Sequence, residues 1–256
     1  MTMRRVKSAV PLPGSSTGRR VDLVVGGIAL MTFAQFASVS VSGLPSVHVW
    51  PALAVYLGIA VLIDRVMPAG TPGPGLGAAN RVTLVRLVFV CWLCATAVLP
   101  AALLTDALLW LVAGMTLLAL GLDGVDGYLA RQRGVVSRFG ARFDEEVDAG
   151  LIMVLAMLAW RSDQVGVWVL LIGLMRYAFV IAGWAVTALQ AELFPSVRRK
   201  AVCVVQVGVL PLCLLPVVSP ALSTVFAAAA LLALTASFWV DVRWLMMRRE
   251  SPSRPT

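Results

Sequence analysis

Long apolar segments, separated by short polar or Gly/Pro-rich connections, cover most of the chain. Most of them approach the roughly 20 residues that a helix needs to cross the hydrocarbon core of a bilayer. The pattern therefore predicts an all-α fold, a polytopic membrane helix bundle. The eight predicted spans are residues 21–42, 47–66, 82–104, 107–122, 147–160, 165–190, 201–218 and 221–240.

Shifts in composition divide the predicted bundle into parts. A linker follows the second helix, because glycine and proline at every second or third position forbid a helix. The first two helices carry almost no polar groups, which favours a packing or dimerisation appendage. The predicted parts are a disordered basic cytoplasmic tail (1–20), two transmembrane helices (21–70), the linker (71–79), a six-helix membrane domain (80–241) and a basic cytoplasmic tail (242–256).

The composition excludes a soluble domain of this size. Of the 256 residues, 60% are apolar and 13% are charged, and the mean hydropathy is +0.90. Such values are typical of polytopic membrane proteins. All four cysteines lie in apolar segments, so we expect no disulfide framework.

The net charge of +8 invites a nucleic-acid function, which the distribution of charge excludes. With eight spans, 19 of the 21 Lys and Arg residues fall on or near one side; only Arg161 and Arg176 do not. This is the positive-inside pattern, so we expect both termini in the cytoplasm. The excess of arginine over lysine, 19 to 2, favours a GC-rich bacterial genome and hence the bacterial cytoplasmic membrane.

Six of the 13 acidic residues fall within the 26 positions from 123 to 148, between two strongly apolar segments. Carboxylates this close repel one another unless cations lie among them, so the crowding indicates bound divalent metal. The six are Asp123, Asp126, Asp144, Glu145, Glu146 and Asp148.

The spacing of the four aspartates supports a shared metal site. Asp123 and Asp126 are three residues apart, and Asp144 and Asp148 are four apart. On helices each pair therefore lies on one face. Two such pairs facing each other form an oxygen-only cage suited to Mg2+, Mn2+ or Ca2+, whereas one His and four scattered Cys offer little to zinc.

Other residues of the stretch fit around this cage. Glu145 and Glu146 point about 100° and 200° away from the aspartate face, so we interpret them as solvated neighbours. Gly127 and Ala130 leave room for a flat or anionic ligand to approach the backbone. The planar guanidinium of Arg131 is suited to donate two parallel hydrogen bonds to a phosphate.

The acidic stretch resembles the signature of the CDP-alcohol phosphotransferases, D-x2-D-G-x2-A-R-x8-G-x3-D-x3-D, at every fixed position. Eight specified residues make this a strong match, although it covers only 26 residues. The resemblance implies a six-helix CDP-alcohol phosphotransferase-like core with two extra N-terminal transmembrane helices. The matching residues are Asp123, Asp126, Gly127, Ala130, Arg131, Gly140, Asp144 and Asp148.

The resemblance implies a metal-dependent transferase that moves a phosphatidyl group from CDP-diacylglycerol to an alcohol and releases CMP. Asp123, Asp126 and Asp144 then hold two divalent ions, Mg2+ or Mn2+, with Asp148 at the edge of the shell. Asp148 takes the acceptor proton as general base. The residues implied for the cytidine diphosphate and its phosphates are Gly127, Ala130, Arg131 and Gly140.

Asn80, Thr83 and Arg86 open the third predicted helix at a spacing of three. One interpretation is structural, with Asn80 as N-cap and Arg86 reaching the cytoplasmic interface. The other is that this face borders the acidic cage and contacts the nucleotide or its phosphates. It resembles the Asn-x-x-Thr-x-x-Arg that often opens the first core helix of the same family.

Basic residues on later helices are candidates for acceptor binding. Arg176 lies mid-span and should face the bundle interior, where it either pairs with a carboxylate or holds an anionic acceptor. Arg198, Arg199 and Lys200 open the seventh helix and favour a phosphorylated polyol, such as inositol phosphate or glycerol phosphate. Lys200 and the following Gln206 resemble part of the Gly-Lys-x-Lys-Thr-x-x-Gln run of the glycerophosphate-using branch, without its Gly, second Lys and Thr.

Two other functions compete with phosphatidyl transfer. In the first, a soluble CDP-alcohol is the donor and passes its headgroup to diacylglycerol; the signature is the same for both directions. A divalent-cation transporter is the other class, but transport sites lie near the bilayer midplane and this stretch lies at helix ends. The resemblance also implies a homodimer.

Overall fold

The computed structural model describes residues 16–40, 45–67, 75–133, 138–186, 189 and 196–249. Side chains are described for the same residues except Asp123, 125–133, 138, 248 and 249. Within these ranges the chain forms eight α-helices and no strand, as the apolar pattern predicts. The helices are α1 (Ser16–Ser40), α2 (Val49–Val66), α3 (Ala78–Ala97), α4 (Asp106–Arg133), α5 (Arg138–Arg161), α6 (Leu170–Ala185), α7 (Val197–Leu214) and α8 (Pro220–Arg249).

The helix ends differ from the predicted spans where polar residues continue a helix beyond the apolar segment. α4 runs on to Arg133 and α5 begins at Arg138, so much of the acidic stretch is helical. α1 begins at Ser16, so the last five residues of the predicted tail are helical, and residues 1–15 lie outside the described residues. α3 begins at Ala78, inside the predicted linker.

Several helices are suited to a lipid environment. Ile28 on α1, Trp184 on α6 and Leu232 on α8 are 61%, 76% and 70% exposed, and they belong to a larger set of large apolar side chains on the outside of the bundle. Water would disfavour such a surface, whereas lipid tails solvate it. Five segments of the described chain are long and apolar enough to cross a membrane: Ser16–Ser40, Ser46–Val66, Ala78–Ala97, Val167–Ala185 and Pro220–Met247. The protein is a polytopic membrane helix bundle.

Helix α3 lies at the centre of this bundle. It contacts α1, α2, α4 and α5, and 13 of its 20 residues are buried. Trp92 is fully buried and packs edge-on against Phe33 of α1, with the ring centroids 5.3 Å apart. The side chains of α3 are therefore positioned by helices on several sides. The four cysteines form no disulfide with one another, in agreement with their apolar surroundings.

Helix α5 lies between α3 and α6, and the contact with α6 is close enough to require a glycine, whereas the contact with α3 is not. A Cβ at Gly150 would lie 3.5 Å from Val90 on α3, which is ordinary contact. A Cβ at Gly173 on α6 would lie 2.7 Å from the Cα of Met153 on α5, which no side chain can adopt without movement of the backbone. The packing therefore holds α5 tightly between its two neighbours.

Candidate active site

The described part of the acidic stretch places three residues of the signature on one face of α5. Gly140, Asp144 and Asp148 follow one another at intervals of four, and all three lie within α5. Side chains four apart on a helix stack on the same face. The side chains of Asp123 and Asp126, and those of Gly127, Ala130 and Arg131, lie outside the described residues, so their place in the site stays a prediction.

Arg86 of α3 joins the two aspartates of α5. Its Nη1 donates to Asp144 Oδ1 at 2.6 Å, and its Nη2 donates to Asp148 Oδ1. The arginine is 2% exposed, whereas the side chains of Asp144 and Asp148 are 34% and 23% exposed. A buried guanidinium needs such partners, because an uncompensated charge in this position is costly. The carboxylates themselves remain accessible from outside the bundle.

The structure decides between the two interpretations of the α3 start. Gly77 is the N-cap residue of α3, so Asn80 is not, and the Asn80 side-chain amide instead donates to Leu76 O at 2.8 Å. Arg86 does not extend to the interface but is buried against the aspartates. Thr83 is also buried, at 3% exposure. This face of α3 therefore borders the acidic cluster, while contact with a nucleotide stays a prediction.

Arg176 lies on the other side of α5, where it pairs with carboxylates. Its Nη2 donates to Glu146 Oε1 at 2.7 Å and approaches Glu145 Oε2 at 3.5 Å. Both glutamates are exposed, as predicted, but they are also the partners of Arg176. Of the two roles considered for Arg176, the structure therefore supports pairing with a carboxylate.

The basic start of α7 is anchored on α8. Arg198 Nη1 donates to Ser237 O at 2.6 Å, and its Nη2 donates to Asp241. Arg199 Nη1 lies 3.6 Å from the same aspartate, and Lys200 is exposed. Two of these three cations therefore share one carboxylate, and the ammonium of Lys200 faces outward.

Gln206, one residue of the partial glycerophosphate-branch pattern, is part of the core. It is fully buried and its Nε2 donates to Ala230 O at 2.9 Å, which ties α7 to α8. Its Oε1 is buried without a hydrogen-bond partner in the described structure. Gln206 is therefore positioned as a packing residue of the α7–α8 contact.

The donors on α5 suit a hard divalent cation. Asp144 and Asp148 provide carboxylate oxygens that converge on one positive group, the guanidinium of Arg86. Oxygen ligands of this kind are those that Mg2+ and Mn2+ prefer. Within the described residues no group of three or more His, Cys, Asp or Glu residues is arranged to hold a metal ion. The cage therefore depends on Asp123 and Asp126, and the metal remains a prediction.

The sequence analysis missed several carboxylates with structural partners. Asp22 accepts from Arg81 on α3, Asp64 accepts from Arg19 on α1, and Asp241 accepts from Arg198. The first two lie on helices that appear almost devoid of polar groups. The sequence already indicated that these aspartates have partners, because an acidic residue at the end of an apolar span requires a cation nearby.

Comparison with known proteins identifies the family to which this arrangement belongs. A family model described as CDP-alcohol phosphatidyltransferase matches residues 76–240. The matched segment is well over half of the chain and runs from the turn before α3 into α8. Searches of curated proteins and of solved structures found no match.

Proposed function

The chain belongs to the CDP-alcohol phosphatidyltransferase family, and we propose that it moves a phosphatidyl group from CDP-diacylglycerol to an alcohol acceptor with release of CMP. Membership in this family makes the protein a membrane transferase of phospholipid biosynthesis that uses a CDP-alcohol. It also argues against the cation transporter. The observation that carries the finer proposal is the pairing of buried Arg86 with Asp144 and Asp148.

The proposed reaction is a displacement at phosphorus. The alcohol oxygen forms a bond to the lipid-linked phosphorus, the bond from that phosphorus to the bridging oxygen of the pyrophosphate breaks, and CMP leaves with the electron pair. Asp148 accepts the proton of the alcohol as general base. Its contact with Arg86 supports this role, because it fixes one carboxylate oxygen while the side chain, at 23% exposure, stays reachable for the acceptor.

Four aspartates are proposed to hold the metal. Asp123, Asp126 and Asp144 would bind two ions, Mg2+ or Mn2+, with Asp148 at the edge of the shell. Bound there, such ions neutralise the pyrophosphate and stabilise the charge on the departing CMP. The partial exposure of the two described carboxylates, 34% and 23%, leaves them reachable for an ion and a substrate.

The chain's own residues are proposed to orient the donor. Gly127, Ala130, Arg131 and Gly140 would line the cytidine diphosphate, because small residues let a phosphate approach the backbone and a guanidinium pairs with it. Asn80, Thr83 and Arg86 lie on the face of α3 that borders the cluster. Gly140 supports this arrangement, since it stands one turn before Asp144 on the same face of α5.

A phosphorylated polyol is the proposed acceptor class, for example inositol phosphate or glycerol phosphate. Lys200 is the stronger candidate for its phosphate, because it is exposed, and Arg199 stands next to it at the start of α7. Arg176 is a weaker candidate, because its guanidinium already pairs with Glu146. We further propose a homodimer in the bacterial cytoplasmic membrane with the active site on the cytoplasmic side.

The experiment is a screen of acceptors with purified protein and CDP-diacylglycerol, scored by CMP release. We expect release that requires Mg2+ or Mn2+ and a phosphorylated polyol. A parallel reaction with diacylglycerol and radiolabelled soluble CDP-alcohols tests headgroup transfer, and release only in that reaction would reverse the proposed donor. Release from neither donor contradicts the proposed function.

A matched pair of variants tests the role of Asp148 in the same assay. Asp148→Asn should lose turnover by at least about a thousandfold, within the range typical of general bases, while binding of CDP-diacylglycerol is retained. Glu146→Gln is the control, because it removes a carboxylate from the same helix on another face. Loss of donor binding in Asp148→Asn would make Asp148 a ligand rather than a base.

A further inference from the structure

The turn that leads into α3 rests on a carboxylate of α1. Asp22 Oδ2 accepts the backbone N–H of Leu76 at 2.8 Å, and the same carboxylate accepts from Arg81 Nε at 3.0 and 3.1 Å. Asp22 is 14% exposed, and Leu76 is 1% exposed. A carboxylate that bonds both a turn and the first turn of a helix fixes where that helix begins.

Gly75 allows this contact to form. Its φ of +68° lies in the region that favours glycine, and a Cβ at this position would lie 2.2 Å from Asp22 Oδ2 and 3.0 Å from Gly18 O. A larger residue therefore cannot occupy the turn while it stays seated on α1. Glycine at position 75 therefore leaves the space that the Asp22 carboxylate needs to accept the Leu76 N–H.

Helix α1 is itself held in place by α2. Tyr56 donates its hydroxyl to Leu23 O at 2.7 Å, in a buried contact one residue after Asp22. Arg19 pairs with Asp64 at 2.8 Å near the same end of the helices. The contacts between α1 and α2 therefore hold Asp22 in position against the start of α3.

A displacement at the start of α3 is transmitted to the acidic cluster. Arg81 precedes Arg86 by five residues, about 7.5 Å along a helix that behaves as a stiff rod over that length. Arg86 is the residue through which α3 contacts Asp144 and Asp148. Displacements of about 1 Å at a reacting group can lower rates by about a hundredfold.

We infer that Asp22 is a positioning residue: through the Leu76 N–H it sets the position of α3, and hence of Arg86 against the catalytic aspartates. The inference rests on the proposed function, since its consequence is a change in turnover. On this inference the two N-terminal helices, which lie outside the matched family segment, help to position the catalytic residues.

The test compares Asp22→Ala, Asp22→Asn and Asp64→Ala in the full-length protein, with CMP release as the readout. Asp22→Ala should lower kcat about tenfold, because Arg86 is displaced from the catalytic aspartates, and should raise KM for CDP-diacylglycerol by a smaller factor, because Asn80 and Thr83 move with the same helix. Asp22→Asn should recover most of kcat, because its amide oxygen still accepts from the Leu76 N–H. Asp64→Ala is the comparison: it weakens the contact of α2 with α1 but leaves the hydrogen bond from the Leu76 N–H to Asp22 in place, so it should lower kcat less than Asp22→Ala does.

Hydrogen exchange supplies a readout that does not depend on activity. Amides at the start of α3, residues 76–82, should exchange faster in Asp22→Ala than in Asp64→Ala. Gly75→Ala should reproduce both effects while Asp22 is intact, with Gly58→Ala, which meets no atom within 4 Å, as its control. Unchanged exchange in Asp22→Ala, wild-type kcat in that variant, or equal loss of kcat in Asp22→Ala and Asp64→Ala would each overturn the inference. Absence of CMP release by the wild-type protein would instead count against the proposed function.

Discussion

Arg86 is the residue on which the described part of the site depends. It brings a positive charge into the core and satisfies it with two carboxylates that remain partly exposed. Each aspartate gives one oxygen to the buried guanidinium, so the arginine orients groups that must meet a substrate. Such preorganisation holds charged groups where the reaction develops charge.

Replacement of Arg86 by glutamine should therefore affect both stability and activity. We expect a loss of about 3 kcal/mol in the free energy of unfolding, at the low end for a buried pair because both carboxylates reach solvent. Turnover should be abolished. Arg65→Gln, at an exposed position on α2, is the control and should change either quantity little. Thermal unfolding in detergent and CMP release measure the two effects, and a stable, active Arg86→Gln protein would contradict the role assigned to this residue.

The proposed metal site makes a second prediction at the residue scale. An ion at about 100 times its Kd stabilises a folded protein by about 2.7 kcal/mol, so Mg2+ or Mn2+ should raise the unfolding temperature. Asp144→Asn should remove that increase, and Glu145→Gln on the same helix should retain it. Unfolding is followed with and without a chelator. An undiminished increase in Asp144→Asn would contradict the aspartate cage.

At the scale of elements, α5 carries two sets of carboxylates on different faces, and a different neighbour contacts each set. Asp144 and Asp148 contact Arg86 of α3, whereas Glu146 contacts Arg176 of α6. The rotation of α5 between these neighbours therefore decides which carboxylates are available for chemistry. The close approach of Gly173 to Met153 holds that rotation from the α6 side.

Alanine at Gly173 tests this contact. A Cβ there would lie 2.7 Å from the Cα of Met153, so the helices must separate, at a cost of about 1–3 kcal/mol in stability. Gly58→Ala on α2 meets no neighbour within 4 Å and should gain up to about 1 kcal/mol from helix propensity. Thermal unfolding compares the two variants. Equal stability of both would show that α5 and α6 can separate freely.

At the scale of the molecule, the number of spans determines whether the two termini lie on the same side of the membrane. Five segments of the described chain are long and apolar enough to cross a membrane by length and composition, and Asp106–Leu122 is a shorter apolar helix. α5 carries charged residues at the end that forms the site, and α7 carries them in its first turn, at Arg198, Arg199 and Lys200. Because charge at a helix end does not prevent the rest from entering the bilayer, all eight helices are expected to span.

Eight spans would place both termini on the same side of the membrane, and the distribution of arginine predicts that this side is the cytoplasm. Reporters that are active on only one side of the membrane, fused in turn to each end of the full chain, should both report the cytoplasm. Opposite results for the two ends would require an odd number of spans. Two outward-facing ends would contradict the orientation of the site.

Residue spacing within single helices was enough to predict much of this protein. Twenty-residue apolar segments predict membrane helices because backbone hydrogen bonds must be satisfied within each segment, and the eight helices follow from that rule. Aspartates four apart predict a shared face because the helix repeats every 3.6 residues. The placement of Asp144 and Asp148 on one face of α5 agrees with this prediction.

The partners of those residues were decided only by the tertiary structure. Arg86 is 58 and 62 residues from the aspartates it contacts, and Asp22 is 54 residues from the N–H it accepts. The sequence left Arg176 with two roles, and the packing of α6 on α5 selected Glu146 as its partner. Local spacing determines which side chains share a face, but helix packing determines what each face meets.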